Sequence, residues 1–250
     1  MKVYVNGCSF SYGHNELLER KGKVWPQHLH NHDDKDLDKP GWTRGYHVEN
    51  ESLSGGSSHR SLRMCMDRAM RHGQKNQEVD IIICQLSNPH RGEFFHQDLG
   101  MYINYISNRF ILGEKEIEVF KQQGFTTRKD VQFFNEKGES IEDVYFHKNI
   151  LWHNTVIVPE WQRQIEILAL CNNLEKLCKI KGIKLLFTAM SSICVPSYHG
   201  DMTLMPYITK PMSHIVGRSG SLVESETDNH PNEAGHEKIY RYIISELEKL

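Results

Sequence analysis

Residues 79–86 have the sequence VDIIICQL, which is the clearest strand pattern in the chain. The centre of this segment is continuously apolar, whereas a strand with one solvated face would alternate apolar and polar residues. Strands covered on both faces are typical of parallel sheets with helices packed on each side. This stretch therefore predicts an α/β fold built around a buried central strand.

Strand and helix patterns alternate on either side of this central segment. Residues 2–6 predict a first strand that ends at Gly7, and residues 45–50 and 183–189 predict two further strands. Helical periodicity is present in four other segments: 24–30, 57–72, 160–181 and 232–250. In 160–181, six apolar residues at spacings of three or four predict the buried face: Trp161, Ile165, Leu168, Cys171, Leu174 and Cys178. The alternation indicates a three-layer α/β/α sandwich with a parallel sheet of about five strands.

A chain of 250 residues suits one α/β domain with an insertion better than two complete domains. We therefore expect a single domain over residues 1–250. Residues 97–155 have no strong hydrophobic period and are rich in Gly, Asn, Lys and Glu. This segment is predicted to be an insertion of mixed structure, placed as a cap over the functional site.

Charge and composition bear on the partners and on the compartment. The 30 Lys and Arg residues nearly balance the 32 Asp and Glu residues, for a formal net charge of −2. This balance gives no electrostatic reason to expect nucleic acid as the partner. The sequence shows no signal peptide and no run of about 18 apolar residues, and its six cysteines are widely scattered. We expect a cytoplasmic protein with reduced thiols and no membrane association.

The first candidate segment for chemistry is the sequence GCSFSYG at residues 7–13, directly after the first strand. In open α/β sheets the ligand crevice lies at the carboxyl ends of the strands, where this segment is expected to lie. Its glycines allow a tight turn that can expose a hydroxyl group. An ordinary Ser/Gly turn would have the same composition. The residues alone do not decide between Ser9 and Ser11 as a nucleophile.

The second candidate segment is the sequence DNHP at residues 228–231, directly before the last predicted helix. A serine hydroxyl needs a base within hydrogen-bond reach, and a neutral histidine suits this role. Asp228 is close enough in sequence to orient the second ring nitrogen of His230. A helix N-cap beside an exposed histidine is the alternative interpretation of this tetrapeptide.

The third candidate segment is the sequence NESLSGGSS at residues 50–58, between a predicted strand and a predicted helix. Gly55 allows a backbone N–H to face an anion, and the following helix N-terminus adds positive potential. These are the requirements of an oxyanion hole. A flexible Gly/Ser connection is the alternative interpretation.

In this order and at these positions, the three segments resemble the sequence blocks of the SGNH hydrolases, also called GDSL-type esterases and lipases. The block Gly-Asp-Ser-x-Ser is similar to residues 7–11, and Asn-x-x-x-x-Gly is similar to residues 50–55. The last block, Asp-x-(x)-His-Pro followed by Gly-His, is similar to residues 228–236. The resemblance extends over nearly the whole chain and implies a flavodoxin-like α/β sandwich. The short blocks are similar to those of phage-encoded members of the family.

The resemblance also implies the site residues. Ser9 would be the nucleophile, His230 the base and Asp228 its partner, while the N–H groups of Ser9 and Gly55 would hold the oxyanion. The family's third block, Gly-x-Asn-Asp, is altered here, and Asn88 is the residue at the matching place to supply a side-chain donor. Two further departures from the family pattern are Cys8, where the family has Asp, and Pro89 directly after Asn88.

Other polar residues are candidates for contact with the substrate. Arg91 could present its guanidinium to an oxyanion, a carboxylate or a phosphate. His199 and Arg218 lie in the last long loop, which is expected to border the site. The histidines near residue 30 lack the spacing of a metal site, so neither a metal nor a cofactor is expected.

The expected activity, implied by the resemblance, is hydrolysis of a carboxylic ester of a small molecule or carbohydrate through an acyl-enzyme. Two alternatives stay open. One is a non-catalytic binding or structural module on the same fold, which the altered first and third blocks would suit. The other is transfer of an acyl group to a carbohydrate hydroxyl, as some relatives of this fold perform.

Overall fold

The structure is a computed structural model, and it describes thirteen segments of the chain. The described residues are 1–13, 23–30, 45–53, 56–88, 91–96, 101–106, 109–111, 132–134, 140–141, 160–191, 209–217, 220–224 and 230–250. In chain order the strands are β1 (Lys2–Asn6), β2 (His47–Asn50), β3 (Ile81–Leu86), β4 (Arg91–His96), β5 (Met101–Ile106), β6 (Arg109–Ile111), β7 (Gln132–Phe134), β8 (Ser140–Ile141) and β9 (Lys184–Ala189). The helices are α1 (Ser9–Tyr12), α2 (Trp25–His30), α3 (Ser58–Arg71), α4 (Glu160–Lys181), α5 (Met212–Val216) and α6 (Glu233–Leu247).

The main sheet has four parallel strands in the order β2-β1-β3-β9. Every residue of β3 is buried, as its apolar sequence predicts for a strand covered on both faces. The chain passes from β1 outward to β2 and then crosses to β3 on the other side of β1. The carboxyl ends of β1 and β3 therefore flank the point where the strand order reverses, which is where open α/β sheets bind ligands.

Side chains that alternate along the strands form one core on each face of this sheet. In β1, Tyr4 belongs to the same buried cluster as Leu62 of α3 and Leu174 of α4, whereas Val5 belongs to the cluster of Trp25 of α2 and Ile239 of α6 on the opposite face. Helices thus cover both faces of the sheet. The predicted α/β class and the three-layer arrangement are confirmed.

The buried face of α4 agrees with the prediction at Cys171, Leu174 and Cys178 and differs from it at Ile165. Ile167, Cys171, Leu174 and Cys178 are buried, whereas Ile165 is 38% exposed. Helical periodicity gave the position of the helix correctly. It was wrong about the first turns, where Ile167 rather than Ile165 enters the core.

The described part of the main sheet has four strands, where about five were predicted. On the outer edge of β9, the backbone N–H of Thr209 donates to the carbonyl oxygen of Phe187 at 3.1 Å. The segment before Thr209, at residues 192–208, lies outside the described residues. At the outer edge of β9, the described residues thus show a backbone hydrogen bond from Thr209 but do not form a fifth strand.

A second sheet has the order β4-β5-β6-β7-β8, and β5 to β8 lie within the segment predicted as an insertion. Its strands pair antiparallel except for β6 with β7, which are parallel. It begins at Arg91, six residues before the predicted start of the insertion at residue 97. Arg63 of α3 binds the buried Glu93 of β4 with two hydrogen bonds of 2.7 and 2.9 Å. This ion pair joins the first strand of the second sheet to α3, which packs on the main sheet.

None of the helices in the described segments is long and apolar enough to cross a membrane.

Candidate active site

Ser9 lies on a tight turn at the carboxyl end of β1, where the short helix α1 begins. The carbonyl oxygen of Cys8 accepts hydrogen bonds from the N–H groups of Ser11 and Tyr12, both at 2.9 Å. The α1 hydrogen bonds start at Ser11, so the N–H groups of Ser9 and Phe10 have no acceptor within the helix. Gly13, with a φ of 106°, ends the turn in a conformation that favours glycine.

The central geometric feature of the site is the distance between Ser9 and His230. The Oγ atom of Ser9 is 2.9 Å from Nε2 of His230, although 221 residues separate them in sequence. When Nε2 carries no proton, it accepts the hydrogen of the Ser9 hydroxyl. A serine hydroxyl bound to imidazole in this way is the arrangement that activates a serine as a nucleophile.

The second serine of the turn, Ser11, is engaged elsewhere. Its hydroxyl donates to Oε1 of Gln85 at 2.8 Å and accepts from Nε1 of Trp25 at 3.1 Å. Ser11 is completely buried. The structure therefore brings Ser9, and not Ser11, to the histidine.

The backbone around His230 is held by a short antiparallel contact. Val223 pairs with Pro231, and the N–H of Glu224 donates to the carbonyl oxygen of His230 at 2.9 Å. The side chain of Asn232 donates to the carbonyl oxygens of Ser221 and Val223, at 2.9 and 3.1 Å. The same side chain accepts the N–H of Gly235 at 3.0 Å and so caps α6. Asn232 therefore joins the start of α6 to the loop that carries His230.

The segment predicted to supply oxyanion donors lies against the turn at residues 7–13, which carries the predicted nucleophile Ser9. The N–H of Leu53 donates to the carbonyl oxygen of Gly7 at 3.1 Å, and the side-chain amide of Asn50 donates to the carbonyl oxygen of Ser11 at 3.0 Å. A Cβ atom on Gly56 would lie only 2.9 Å from the carbonyl oxygen of Gly7. This close approach requires glycine at residue 56.

The end of β3 carries the residues that correspond to the altered third block. Asn88 is half-buried, and its carbonyl oxygen accepts the N–H of Arg91 at 2.9 Å. The Arg91 guanidinium lies 3.4 Å from Oγ of Ser87. The N–H of Ser87 donates to the hydroxyl of Ser58, and that hydroxyl donates to the carbonyl oxygen of Ser87. The first turn of α3 is therefore bound to the end of β3, directly before Asn88.

Four residues singled out from the sequence lie outside the described residues: Gly55, His199, Arg218 and Asp228. Their roles stay predictions.

Gln85 contacts the turn that carries Ser9, but it was not among the site residues predicted from the sequence. It is completely buried, and its Oε1 atom accepts the N–H of Cys8 at 3.0 Å as well as the hydroxyl of Ser11. A polar amide in the otherwise apolar strand IIICQL is the signal that could have pointed to it. Buried amides are expected to have hydrogen-bond partners.

Buried histidine is a second feature of this region. His236, in the last family-like block, is completely buried, and desolvation lowers its pKa to about 3. Its Nδ1 accepts the N–H of Trp25 at 3.4 Å. His28 packs on the Tyr240 ring, and burial lowers the pKa of His28 as well. Because its pKa is about 3, His236 is neutral at physiological pH.

A cavity of about 670 Å³ lies away from this site, between β2 and α3. Tyr4, Glu49 and Arg68 line it, whereas Ser9 and His230 do not. Arg68 is paired with Glu49 at 2.7 Å, so its charge is already balanced. We assign no role to this cavity.

In the described segments, no group of three or more His, Cys, Asp or Glu side chains is placed to hold a metal ion.

Comparison with known proteins gives structural matches only. No family model matches the chain, and no curated protein matches it in sequence. Among solved structures, the chain is similar to the crystal structure of TesA, with 11% identity and a TM-score of 0.48, over 100% of this chain and 99% of that one. It is also similar to protein YXIM from Bacillus subtilis, with 13% identity and a TM-score of 0.43. That match covers 99% of this chain but 56% of the Bacillus protein.

Proposed function

We propose that this chain is a serine hydrolase of the SGNH type that cleaves a carboxylic ester through an acyl-enzyme. The observation that carries the proposal is the 2.9 Å distance between Oγ of Ser9 and Nε2 of His230. The location of this pair at the carboxyl end of β1, beside the reversal of strand order, supports the same conclusion. The resemblance of residues 7–11 and 228–236 to the family's blocks is the sequence support.

In the proposed mechanism, Nε2 of His230 takes the proton of Ser9 while the hydroxyl oxygen attacks the ester carbonyl carbon. His230 then donates this proton to the leaving alcohol, which leaves Ser9 acylated. Water repeats the sequence and releases the acid. Asp228 is assigned to orient His230 and to stabilise its imidazolium.

Backbone and side-chain donors would stabilise the negative charge that develops on the carbonyl oxygen. The Ser9 N–H suits this task because α1 provides no acceptor for it. By resemblance, the N–H of Gly55 and the side-chain amide of Asn88 are the other two donors. Loss of one such donor typically lowers the rate by about 10²–10³-fold.

The substrate class is a small-molecule or carbohydrate ester, and the mechanism needs neither a cofactor nor a nucleic acid partner. A cytoplasmic location stays part of the same proposal. The two alternatives, a binding module and a carbohydrate acyltransferase, differ from it in measurable chemistry.

A fluorophosphonate probe tests the proposal, because it reacts with a serine that a neighbouring base activates. We expect labelling at Ser9, loss of labelling and of ester turnover in Ser9→Ala, and an unchanged melting temperature. Ser245→Ala is the matched control, since Ser245 lies near the far end of α6 and binds the carbonyl oxygen of Tyr242. Wild-type turnover in Ser9→Ala would exclude this mechanism.

Two other outcomes separate the alternatives. An unlabelled wild-type protein without esterase activity at any pH would favour the binding module. Formation of an acylated sugar when a carbohydrate acceptor is present would favour the acyltransferase.

A further inference from the structure

The Gln85 side chain lies directly beneath the nucleophile turn and binds it on both sides of Ser9. Its Oε1 atom accepts the N–H of Cys8 at 3.0 Å and the hydroxyl of Ser11 at 2.8 Å. Both donors and the amide are buried. One side-chain oxygen thus fixes the residue before the nucleophile and the residue two positions after it.

The orientation of the Gln85 amide follows from its partners. A backbone N–H can only donate, so the amide atom that faces Cys8 is the oxygen. The amide nitrogen lies 3.1 Å from Sδ of Met212, in α5. Gln85 is therefore held from two directions, by the nucleophile turn and by the helix on the same face of the sheet.

The turn lies so close to Gln85 that only glycine fits at residue 7. A Cβ atom on Gly7 would be 2.3 Å from Oε1 and 2.7 Å from Cβ of Gln85. Gly7 is not among the residues with a positive φ, so a left-handed backbone conformation is not the reason for glycine at this position. The demand for glycine comes from the proximity of the glutamine.

The strand that carries Gln85, β3, is an interior strand of the main sheet. β3 lies between β1 and β9, and all six of its residues are buried. A hydrogen bond from this strand transfers its fixed position to the turn. The hydroxyl of Ser11 extends the contact to the Trp25 indole, in α2.

We infer that Gln85 is a positioning residue, which holds the turn so that the Ser9 hydroxyl stays within hydrogen-bond distance of His230. This inference rests on the proposed hydrolase function. The hydrogen bonds of Gln85 are made to Cys8, Ser11 and Met212, so it acts on Ser9 through Cys8 and Ser11. Because a misplacement of about 1 Å can lower a rate about 10²-fold, its loss affects the chemical step more than substrate binding.

The test compares Gln85→Leu with Gln85→Glu and with a matched control. Gln85→Leu removes the acceptor, whereas Gln85→Glu keeps an oxygen where Cys8 and Ser11 donate. Thr188→Val is the control, because Thr188 is the register partner of Gln85 in β9, is completely buried, and its Oγ1 has no hydrogen-bond partner among the described residues. Each kcat is divided by the folded fraction, measured by near-ultraviolet circular dichroism.

For Gln85→Leu we expect kcat per folded molecule to fall about 10²-fold, with KM changed by less than about threefold. The rate of fluorophosphonate labelling at Ser9 falls in parallel. The kcat of Gln85→Glu is at least about tenfold higher than that of Gln85→Leu, and the kcat of Thr188→Val is similar to that of the wild type. If Gln85→Leu does not fold, Gln85→Glu is compared with Ser11→Ala instead. Ser11→Ala removes one of the two groups that donate to Gln85.

Two results overturn the inference, and they differ from each other. Unchanged kcat and labelling rate per folded molecule in Gln85→Leu, with an inactive Ser9→Ala, would show that Gln85 only stabilises the fold. Wild-type turnover in Ser9→Ala would instead reject the hydrolase mechanism, and the positioning role with it.

Discussion

The aromatic ring of Phe10 lies against the imidazole of His230, with the ring centroids 5.4 Å apart and the planes tilted by 44°. Phe10 directly follows Ser9 and is buried in the core that α2, α5 and α6 cover. The turn at residues 7–13 therefore supplies both the hydroxyl that binds Nε2 and an aromatic ring that contacts the imidazole.

Phe10→Leu should weaken the orientation of His230 while a similar apolar volume stays in the core. Ring contacts of this kind contribute about 0.5–1.5 kcal/mol, so we expect kcat/KM for a chromogenic ester to fall roughly 2- to 10-fold. Phe187→Leu, in the opposite core, is the control for a general loss of packing. Equal losses of activity in the two variants would argue against an orienting role for Phe10.

Asn232 has two functions that substitution can separate. Asn232→Asp keeps an acceptor for the N–H of Gly235 but loses the donors to Ser221 and Val223. We expect the α6 cap to be kept and kcat to fall, because the loop that carries His230 loses two hydrogen bonds and two of its carbonyl oxygens then face a carboxylate. Asn232→Ala should also lose about 1 kcal/mol of unfolding free energy through the missing cap. Chemical denaturation and steady-state kinetics measure the two effects, and an unchanged kcat in Asn232→Asp would contradict the loop role.

His236 should make the fold less stable in acid. Its pKa in the folded protein is about 3, below the ordinary value near 6.5, because burial disfavours the charged ring. Between these two values the unfolded chain binds a proton that the folded chain does not. Its contribution to stability is therefore full above about pH 6.5 and is lost as the pH falls, by up to ~1.4 kcal/mol per unit.

His236→Asn tests this contribution, because an asparagine oxygen can still accept the N–H of Trp25. Unfolding free energies from pH 8 to pH 4 should fall less steeply for the variant than for the wild type. Parallel curves would show that the acid sensitivity arises elsewhere, for example at His59, whose pKa burial also lowers.

The ion pair between Arg63 and Glu93 should hold the second sheet against α3. Glu93 is only 5% exposed, so Glu93→Gln leaves the Arg63 charge without its partner in a largely dry contact. We expect a loss of about 2 kcal/mol, below the value for a fully buried pair because Arg63 is 32% exposed. Proteolysis within β4–β8 should also become faster.

Glu78→Gln is the matched control for this experiment. Glu78 pairs with Lys2, and both side chains are half exposed, so its loss should leave stability and proteolysis unchanged. Equal effects of the two substitutions would refute the anchoring role of Glu93.

The sequence pattern predicted the four strands of the main sheet and four of its helices, α2, α3, α4 and α6. It did not predict α5, because residues 212–216 lie in a segment that was interpreted as a loop. The predicted strand at residues 2–6 and the predicted helix at 160–181 have the same bounds in the structure. The apolar run at 79–86 correctly indicated that helices cover β3 on both faces. These segments are long or uniformly buried, so their patterns stand out from the local background.

The second sheet and Gln85 could not be predicted in the same way. The strands β6, β7 and β8 have three, three and two residues, which is too short for a period to emerge. A sequence shows that Gln85 is polar, but the partners of a buried amide are set by tertiary contacts. For the same reason Ser9 and His230 could be paired from the sequence only through a family resemblance.

The sequence distance between Ser9 and His230 has a consequence for how a working site arises. Their contact joins the end of the first strand to the residues before the last helix, and neither half of the chain contains both groups. Forming a contact between residues 221 positions apart is entropically costly. Such a contact forms late in folding unless other contacts have already shortened the loop between the two residues. If the proposed chemistry is correct, ester turnover would be a reporter of completed assembly. Two separately expressed halves would then be inactive alone and would regain activity only by reassociating on the shared sheet.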